Sequence, residues 1–88
     1  MRRAARVDAN HRDITRLLRD IGCSVESLHR VGGGVPDLLV GFQRRNLLLE
    51  VKTEKGKIDD DQLIWHRGWA GQVAVVRSLD DCLRELGL

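Results

Sequence analysis

The chain has 88 residues and a formal net charge of +2 at pH 7, with 42% hydrophobic and 32% charged residues. This length and composition predict one globular domain with a thin core. They exclude a membrane-spanning protein, because no apolar run approaches the ~20 residues of a membrane span, and the basic start is not followed by the apolar segment of a secretory signal.

The first predicted element is a helix. Asp8 is a candidate N-cap, and Gly22 is a suitable residue just beyond the helix C-terminus. Between them, apolar side chains recur at helical spacing: Ile14, Leu17, Leu18 and Ile21. The next segment, CSVESLHRV at residues 23–31, predicts a strand, although its alternation of polar and apolar residues is imperfect.

The middle of the chain predicts a β-hairpin. Three glycines at residues 32–34 form a flexible turn, and the runs VPDLLVG (35–41) and NLLLEVKT (46–53) are the two strands. They are joined at residues 43–46, and we expect the chain to reverse near Gln43 and Arg44.

The last third of the chain predicts a helix, a strand and a helix. Asp59 and Gln62 have the spacing of a capping box, so we expect a helix from Asp59 to about Trp69. QVAVV at residues 72–76 is a short buried strand, and Ser78 is the cap of a last helix. The order α-β-β-β-α-β-α predicts an α/β fold in which helices flank a mixed β-sheet.

Three charged side chains interrupt the apolar strands of the hairpin: Asp37, Glu50 and Lys52. Asp37 and Glu50 lie almost symmetrically about the hairpin tip, so the two carboxylates should face each other. Their repulsion is costly unless a cation lies between them, and oxygen ligands of this kind suit Mg²⁺ or Mn²⁺. Lys52 is close enough to polarise a water or a phosphate beside that ion.

Each of these residues also has a purely structural interpretation. Glu50 and Lys52 can form an ion pair on an exposed edge strand, and Asp37 can be a turn residue after Pro36. We favour the site because all three residues are set in strands otherwise built of valine and leucine.

The cysteines and arginines indicate less about function than the charged residues of the hairpin do. Cys23 and Cys82 lack metal-ligand spacing, so we expect small buried thiols in a reducing cytoplasm, with a disulfide between them as an open alternative.

The arginines are concentrated in two clusters: Arg2, Arg3, Arg6 and Arg12 at the start, and Arg44 with Arg45 at the hairpin tip. These clusters suit phosphate contacts, and a solvated surface is the alternative for each of them.

The motif formed by PD at residues 36–37 and EVK at residues 50–52 resembles the signature of the PD-(D/E)XK nucleases. With its flanks GGGVPDLLVG, LLLEVKTEKGK and GQVAVVRS, it is similar to the virus-type replication-repair nuclease (VRR-NUC) branch in its small stand-alone form, over residues 8–86. The resemblance implies a restriction-endonuclease-like core. In it, Asp37, Glu50 and the Val51 carbonyl would bind Mg²⁺ or Mn²⁺, and Lys52 would assist the attacking water.

The resemblance also concerns two further positions, Gln62 and His11. Gln62 would lie at the rim of the site, which is compatible with its role as capping-box partner of Asp59. The family often carries a glutamate in the first helix where this chain has His11. His11 could bind the metal less tightly, contact a phosphate or simply pack, which leaves the number of metal ions open.

By this resemblance, we expect a metal-dependent DNA endonuclease in the cytoplasm of a bacterium or encoded by a phage. It would act on branched DNA such as four-way (Holliday) junctions. The small core predicts a homodimer, with or without exchanged elements, because one copy cannot comfortably cover Trp65 and Trp69. A flap-cutting or restriction-type nuclease and a non-catalytic DNA-binding module are the alternatives. We expect His29 and His66 to be surface or rim residues.

Overall fold

The computed structural model describes the backbone of residues 2–88 and the side chains of residues 10–88. Seven elements follow one another along the chain: α1 (Arg2–Asp20), β1 (Ser24–Ser27), β2 (Leu38–Phe42), β3 (Arg45–Val51), α2 (Asp60–Gly68), β4 (Val73–Val76) and α3 (Leu79–Leu86). This is the predicted α/β order. Among the described helices, none combines the length and the apolar character that crossing a membrane requires.

The first two elements differ from the prediction in their boundaries. α1 already begins at Arg2, so Asp8 lies inside the helix and is not its N-cap. The residues before Asn10 include Ala4, Ala5, Val7 and Ala9, which are compatible with this earlier start. β1 ends at Ser27, because the backbone turns where the Val31 N–H donates to the Leu28 carbonyl at 2.9 Å. The side chains of the predicted arginine cluster at residues 2–6 lie outside the described residues.

The four strands form one mixed sheet in the order β1-β2-β3-β4. β1 with β2 and β2 with β3 pair antiparallel, whereas β3 and β4 pair parallel through the crossover that contains α2. The hairpin reverses at Gln43 and Arg44, both with positive φ (51° and 64°). A two-residue turn needs these angles to match the right-handed twist of the strands that it joins. β3 is therefore an inner strand with a neighbour on each side.

The core lies on one face of the sheet, between the strands and the helices α1 and α3. Its buried side chains come from both helices, all four strands and the residue that precedes β1: Ile14, Leu18, Cys23, Val25, Leu38, Val40, Leu47, Leu49, Val51, Val76, Cys82 and Leu86. The two cysteines are buried and free, as expected of thiols that pack as small hydrophobes.

The opposite face of the sheet is covered only thinly by α2. The predicted capping box starts this helix, with the Gln62 N–H donating to Asp59 Oδ1 at 2.8 Å and the Asp59 N–H donating to Gln62 Oε1 at 3.1 Å. Gly34, with φ 86°, passes so close to the Asp61 carbonyl that a β-carbon would overlap it. α2 buries none of its own residues, so one face of the domain stays apolar and open.

Candidate active site

Asp37 lies immediately before β2, and hydrogen bonds fix both its backbone and its side chain. Its carbonyl accepts a hydrogen bond from the Leu28 N–H at 2.7 Å, and its Oδ2 accepts from the Val51 N–H at 2.9 Å. The carboxylate thus takes the place of the next hydrogen bond in the β2–β3 ladder, because β2 begins only at Leu38. Pro36, which is buried, precedes it and has no N–H to donate.

Glu50 lies opposite Asp37 when the observed register, Leu38 with Leu49, is continued by one residue. It is only 2% exposed, although it is a carboxylic acid. Its Oε2 is 3.8 Å from Lys52 Nζ, and its Oε1 has no hydrogen-bond partner among the described residues. An ion pair on an exposed edge strand, the structural alternative for Glu50 and Lys52, does not describe this buried position on an inner strand.

The surroundings of Glu50 disfavour its ionised form. Burial, a hydrogen bond with the Asp37 carboxyl and the negative charge of Asp37 together raise the pKa of Glu50 to about 8, against the opposing effect of the Lys52 ammonium. A carboxyl with these neighbours keeps a proton at neutral pH unless a cation replaces it. This is the electrostatic condition under which a bound metal ion stabilises a carboxylate pair.

All of the predicted site residues line one pocket of about 270 Å³ at the end of β3. Its walls come from α1, the loop before β2, the end of β3, the loop that follows it, and α2: His11, His29, Asp37, Glu50, Val51, Lys52, Thr53, Gly56, Lys57 and Gln62. The structure therefore brings together residues from positions 11 to 62 that the sequence could assign only separately. His29 lies at the rim, as expected.

The donor set at this pocket fits a hard cation. Asp37 and Glu50 supply carboxylate oxygens, and the buried Glu50 Oε1 has no hydrogen-bond partner among the described residues. The Val51 carbonyl should point toward the same side as the Val51 N–H, which Asp37 occupies. Within residues 10–88, no group of three or more histidine, cysteine or acidic side chains is already arranged around a metal position. The candidate ligands are thus two carboxylates and one backbone oxygen.

Two histidines lie near the pocket with a buried, unpartnered nitrogen. His11 belongs to α1, lines the pocket and has no partner for its Nε2 among the described residues. His66 Nε2 is also without a partner there, and burial followed by the charge of Lys52 lowers the pKa of His66. His66 lies one helical turn beyond Gln62, so it belongs to the surroundings of Lys52 and not to the pocket lining.

Two residues that the sequence did not single out hold the site in place. Asn10 Nδ2 donates to the Lys52 carbonyl at 3.1 Å and so ties α1 to the end of β3. Arg77 Nη1 donates to the Thr53 carbonyl at 2.9 Å, to the Glu54 carbonyl at 3.5 Å and to the Gly56 carbonyl. Arg77 therefore shapes the loop that forms one wall of the pocket.

The sequence contained one signal that could have indicated Arg77. β3 and β4 are joined by a helix, which favours parallel pairing of the two strands. Val51 is paired with Val76, so the residues that follow them, Lys52 and Arg77, leave the sheet at the same edge. The pairing of these two particular residues, however, depends on the register, which the sequence does not specify.

The chain matches no family model, and no curated protein or solved structure shows significant similarity to it.

The raised pKa of Glu50 predicts a pH-dependent loss of stability in the metal-free protein. Because the folded-state pKa of about 8 lies above the ordinary value of 4.5, the contribution of Glu50 to the free energy of unfolding is complete below pH 4.5 and is lost as the pH rises through 8. Glu50→Gln should therefore be more stable than the unmodified chain at pH 9 in EDTA, by up to about 5 kcal/mol, and similar to it at pH 4.5.

Urea denaturation at several pH values measures this difference, and Glu26→Gln, an exposed strand residue, is the matched control. Equal pH dependence of Glu50→Gln and the unmodified chain would show that Glu50 is ionised at neutral pH despite its burial.

Arg77→Ala should loosen the loop at residues 53–57 without unfolding the sheet. Hydrogen bonds from a charged donor typically contribute about 1.5–3 kcal/mol each, so removal of this guanidinium should raise amide exchange in a peptide that covers the loop. Exchange in β2 and β3 should stay slow. Hydrogen–deuterium exchange with mass spectrometry measures both, with Arg84→Ala on α3 as the control, and an unchanged loop would contradict the anchoring role of Arg77.

Proposed function

We propose that the chain is a metal-dependent endodeoxyribonuclease that hydrolyses phosphodiester bonds, as its resemblance to the VRR-NUC branch of the PD-(D/E)XK nucleases implies. The observation that supports this most is the meeting of Asp37 and Glu50 beside Lys52 in one pocket. Burying a carboxylate beside a second one lowers stability, and the apolar strands around them offer no structural reason for it.

Asp37, Glu50 and the Val51 carbonyl would hold Mg²⁺ or Mn²⁺, since hard cations take oxygen ligands of this kind. When bound, the ion would neutralise negative charge on the scissile phosphate and activate a water for attack. His11 is the additional candidate ligand, and its imidazole nitrogen suits Mn²⁺ better than Mg²⁺.

Lys52 is the residue we assign to the reacting groups. Its side chain is 20% exposed, so the ammonium reaches the pocket while its backbone is fixed on both sides. The Lys52 N–H donates to the Val76 carbonyl at 3.0 Å, and its carbonyl accepts from Asn10. An ammonium held in this way can orient a water or stabilise charge on a phosphate. Gln62 contributes to the rim from the first turn of α2.

A non-catalytic DNA-binding module is the alternative from a different class. A module that only binds a polyanion gains nothing from two carboxylates at the bottom of its pocket, because they repel phosphates. The buried position of Glu50 beside Asp37 therefore favours the enzyme. Within the enzyme class, a flap-cutting or restriction-type nuclease has the same requirements at this pocket.

For substrate and assembly, we propose branched DNA such as a four-way junction and a homodimer, with or without exchanged elements. Support for the dimer comes from the thin cover of the sheet: Ile64 is 70% exposed, Val31 62% and Trp69 47%. Val31 and Trp69 also line an apolar groove of about 490 Å³ on this face, together with strand residues such as Leu39 and Leu48. A two-fold dimer would present two pockets to two strands.

The compartment we propose is the cytoplasm, where thiols such as Cys23 and Cys82 stay reduced.

Lys52→Ala should fold and bind metal but lose cleavage by about 10²–10³-fold, because an electrostatic contributor to the transition state is removed. The assay uses labelled linear duplex, flap, fork and four-way-junction DNA with Mg²⁺, Mn²⁺ or EDTA. Lys55→Ala, an exposed lysine in the neighbouring loop, is the matched control and should cleave normally. Normal cleavage by a folded Lys52→Ala protein would remove Lys52 from the reaction.

Metal binding separates the roles within the site. Calorimetric titration with Mn²⁺ should show binding in Lys52→Ala and loss of binding in Asp37→Ala and in Glu50→Ala. Retained affinity in both carboxylate variants would overturn the assignment of the metal site, and absence of cleavage on all four DNA substrates would overturn the nuclease.

The exposed apolar residues of α2 predict that the chain is a dimer at micromolar concentration. Ile64→Glu should convert it to a monomer, because a charge cannot be buried in an apolar interface without a partner. Leu79→Glu, at a residue of α3 that is 41% exposed, is the control and should remain dimeric. Sedimentation equilibrium gives the mass directly, and a monomer mass for the unmodified chain would refute the prediction.

A further inference from the structure

A second groove of about 490 Å³ runs between α1 and β1, away from the apolar face. It adjoins the candidate active site, because His11 lines both spaces. We propose that this groove binds the sugar–phosphate backbone of a DNA strand next to the scissile phosphate. This proposal rests on the proposed nuclease function, which identifies the ligand as DNA. It adds the position of the DNA strand on the protein.

The charge of the groove supports a polyanion. Three arginines of α1 line it, Arg12, Arg16 and Arg19, with Asp20 as its one carboxylate, so the formal charge of the lining is three minus one, or +2. Within residues 10–88 the salt bridges are Lys52 with Glu50 and Arg84 with Asp81. No described carboxylate therefore forms a salt bridge with any of the three guanidinium groups.

The spacing of the arginines suits a chain of phosphates. Positions 12, 16 and 19 fall within a stripe roughly 60° wide on a helix of 3.6 residues per turn. At 1.5 Å per residue, the stripe extends roughly 10 Å along the helix axis. The same length of a DNA duplex axis contains about three phosphates of one strand, at 3.4 Å of axis each. A single small anion would need only one end of such a stripe.

The groove also has fixed and unused hydrogen-bonding groups. Arg19 Nη2 donates to the Val25 carbonyl at 3.0 Å, which ties α1 to β1 and holds this guanidinium in the groove wall. Thr15 Oγ1 and His11 Nε2 belong to the same wall and have no partner among the described residues. Buried polar atoms in proteins usually have a partner, often an ordered water or a ligand, so this wall is prepared for polar contacts that the domain alone does not supply.

The test compares Arg12→Ala/Arg16→Ala with Arg67→Ala/Arg84→Ala. Both double variants lower the formal net charge from +2 to 0, but the second pair lies on α2 and α3, outside the groove. Binding of a labelled 20-base-pair duplex is measured in EDTA by fluorescence anisotropy at 50–300 mM KCl. Each lost phosphate contact should reduce the slope of log K against log salt by about 0.9, so the groove variant should lose about 1.8 and the control should keep the original slope.

Equal slopes for the two double variants would overturn the groove, because charge alone would then account for binding. Arg12→Lys/Arg16→Lys should retain the original slope, and circular dichroism shows whether each variant is folded. A chain that cleaves DNA but keeps its slope in Arg12→Ala/Arg16→Ala refutes the groove and leaves the nuclease. A chain with a groove-dependent slope that never cleaves with Mg²⁺ or Mn²⁺ refutes the nuclease and leaves the groove.

Discussion

The carboxyl group of Glu50, buried on an inner strand, is the constraint around which the rest of this small domain is arranged. A buried ionised carboxylate lowers stability by several kcal/mol unless it is paired or bound. The Lys52 ammonium lies 3.8 Å from the Glu50 carboxyl and favours its ionised form. The second carboxyl, Asp37, has the opposite effect and raises the pKa of Glu50. An arrangement of this kind is stable only in combination with a proton or a cation, and it links the stability of the domain to the occupancy of its pocket.

The mixed sheet explains why this pocket lies where it does. β2 begins one residue after Asp37, so the end of β3 has an unfilled place in the ladder that the Asp37 carboxylate occupies. On the other side, β4 runs parallel to β3 and brings Arg77 to the same edge as Lys52. A fully antiparallel sheet would carry the residue after β4 to the opposite edge, and the loop at residues 53–57 would lose its anchor.

Helix α1 serves three purposes with two of its faces. Ile14 and Leu18 are fully buried in the core. On the same face but earlier in the helix, His11 lines the pocket and Asn10 donates to the Lys52 carbonyl, whereas the arginine stripe lines the groove beside β1 from another face. Helix α2 differs, because it places Gln62 at the pocket and leaves Ile64 and Trp69 exposed. The two faces of the sheet are thus unequal: the packed one supports the proposed DNA path, and the open one is the proposed dimer surface.

The sequence by itself determined the order of the elements, the hairpin with its reversal at Gln43 and Arg44, and the caps at Asp59 and Ser78. These depend on local periodicity and on hydrogen bonds between residues close in the chain. It also pointed to Asp37, Glu50 and Lys52, because charges are conspicuous in strands of valine and leucine. Only the tertiary structure decided that Glu50 is buried on an inner strand, that His11 and Gln62 line the same pocket, and that Asn10 and Arg77 hold its walls. Those facts depend on strand order, register and the packing of α1, which are set by contacts between residues distant in the chain and leave no local pattern in the sequence.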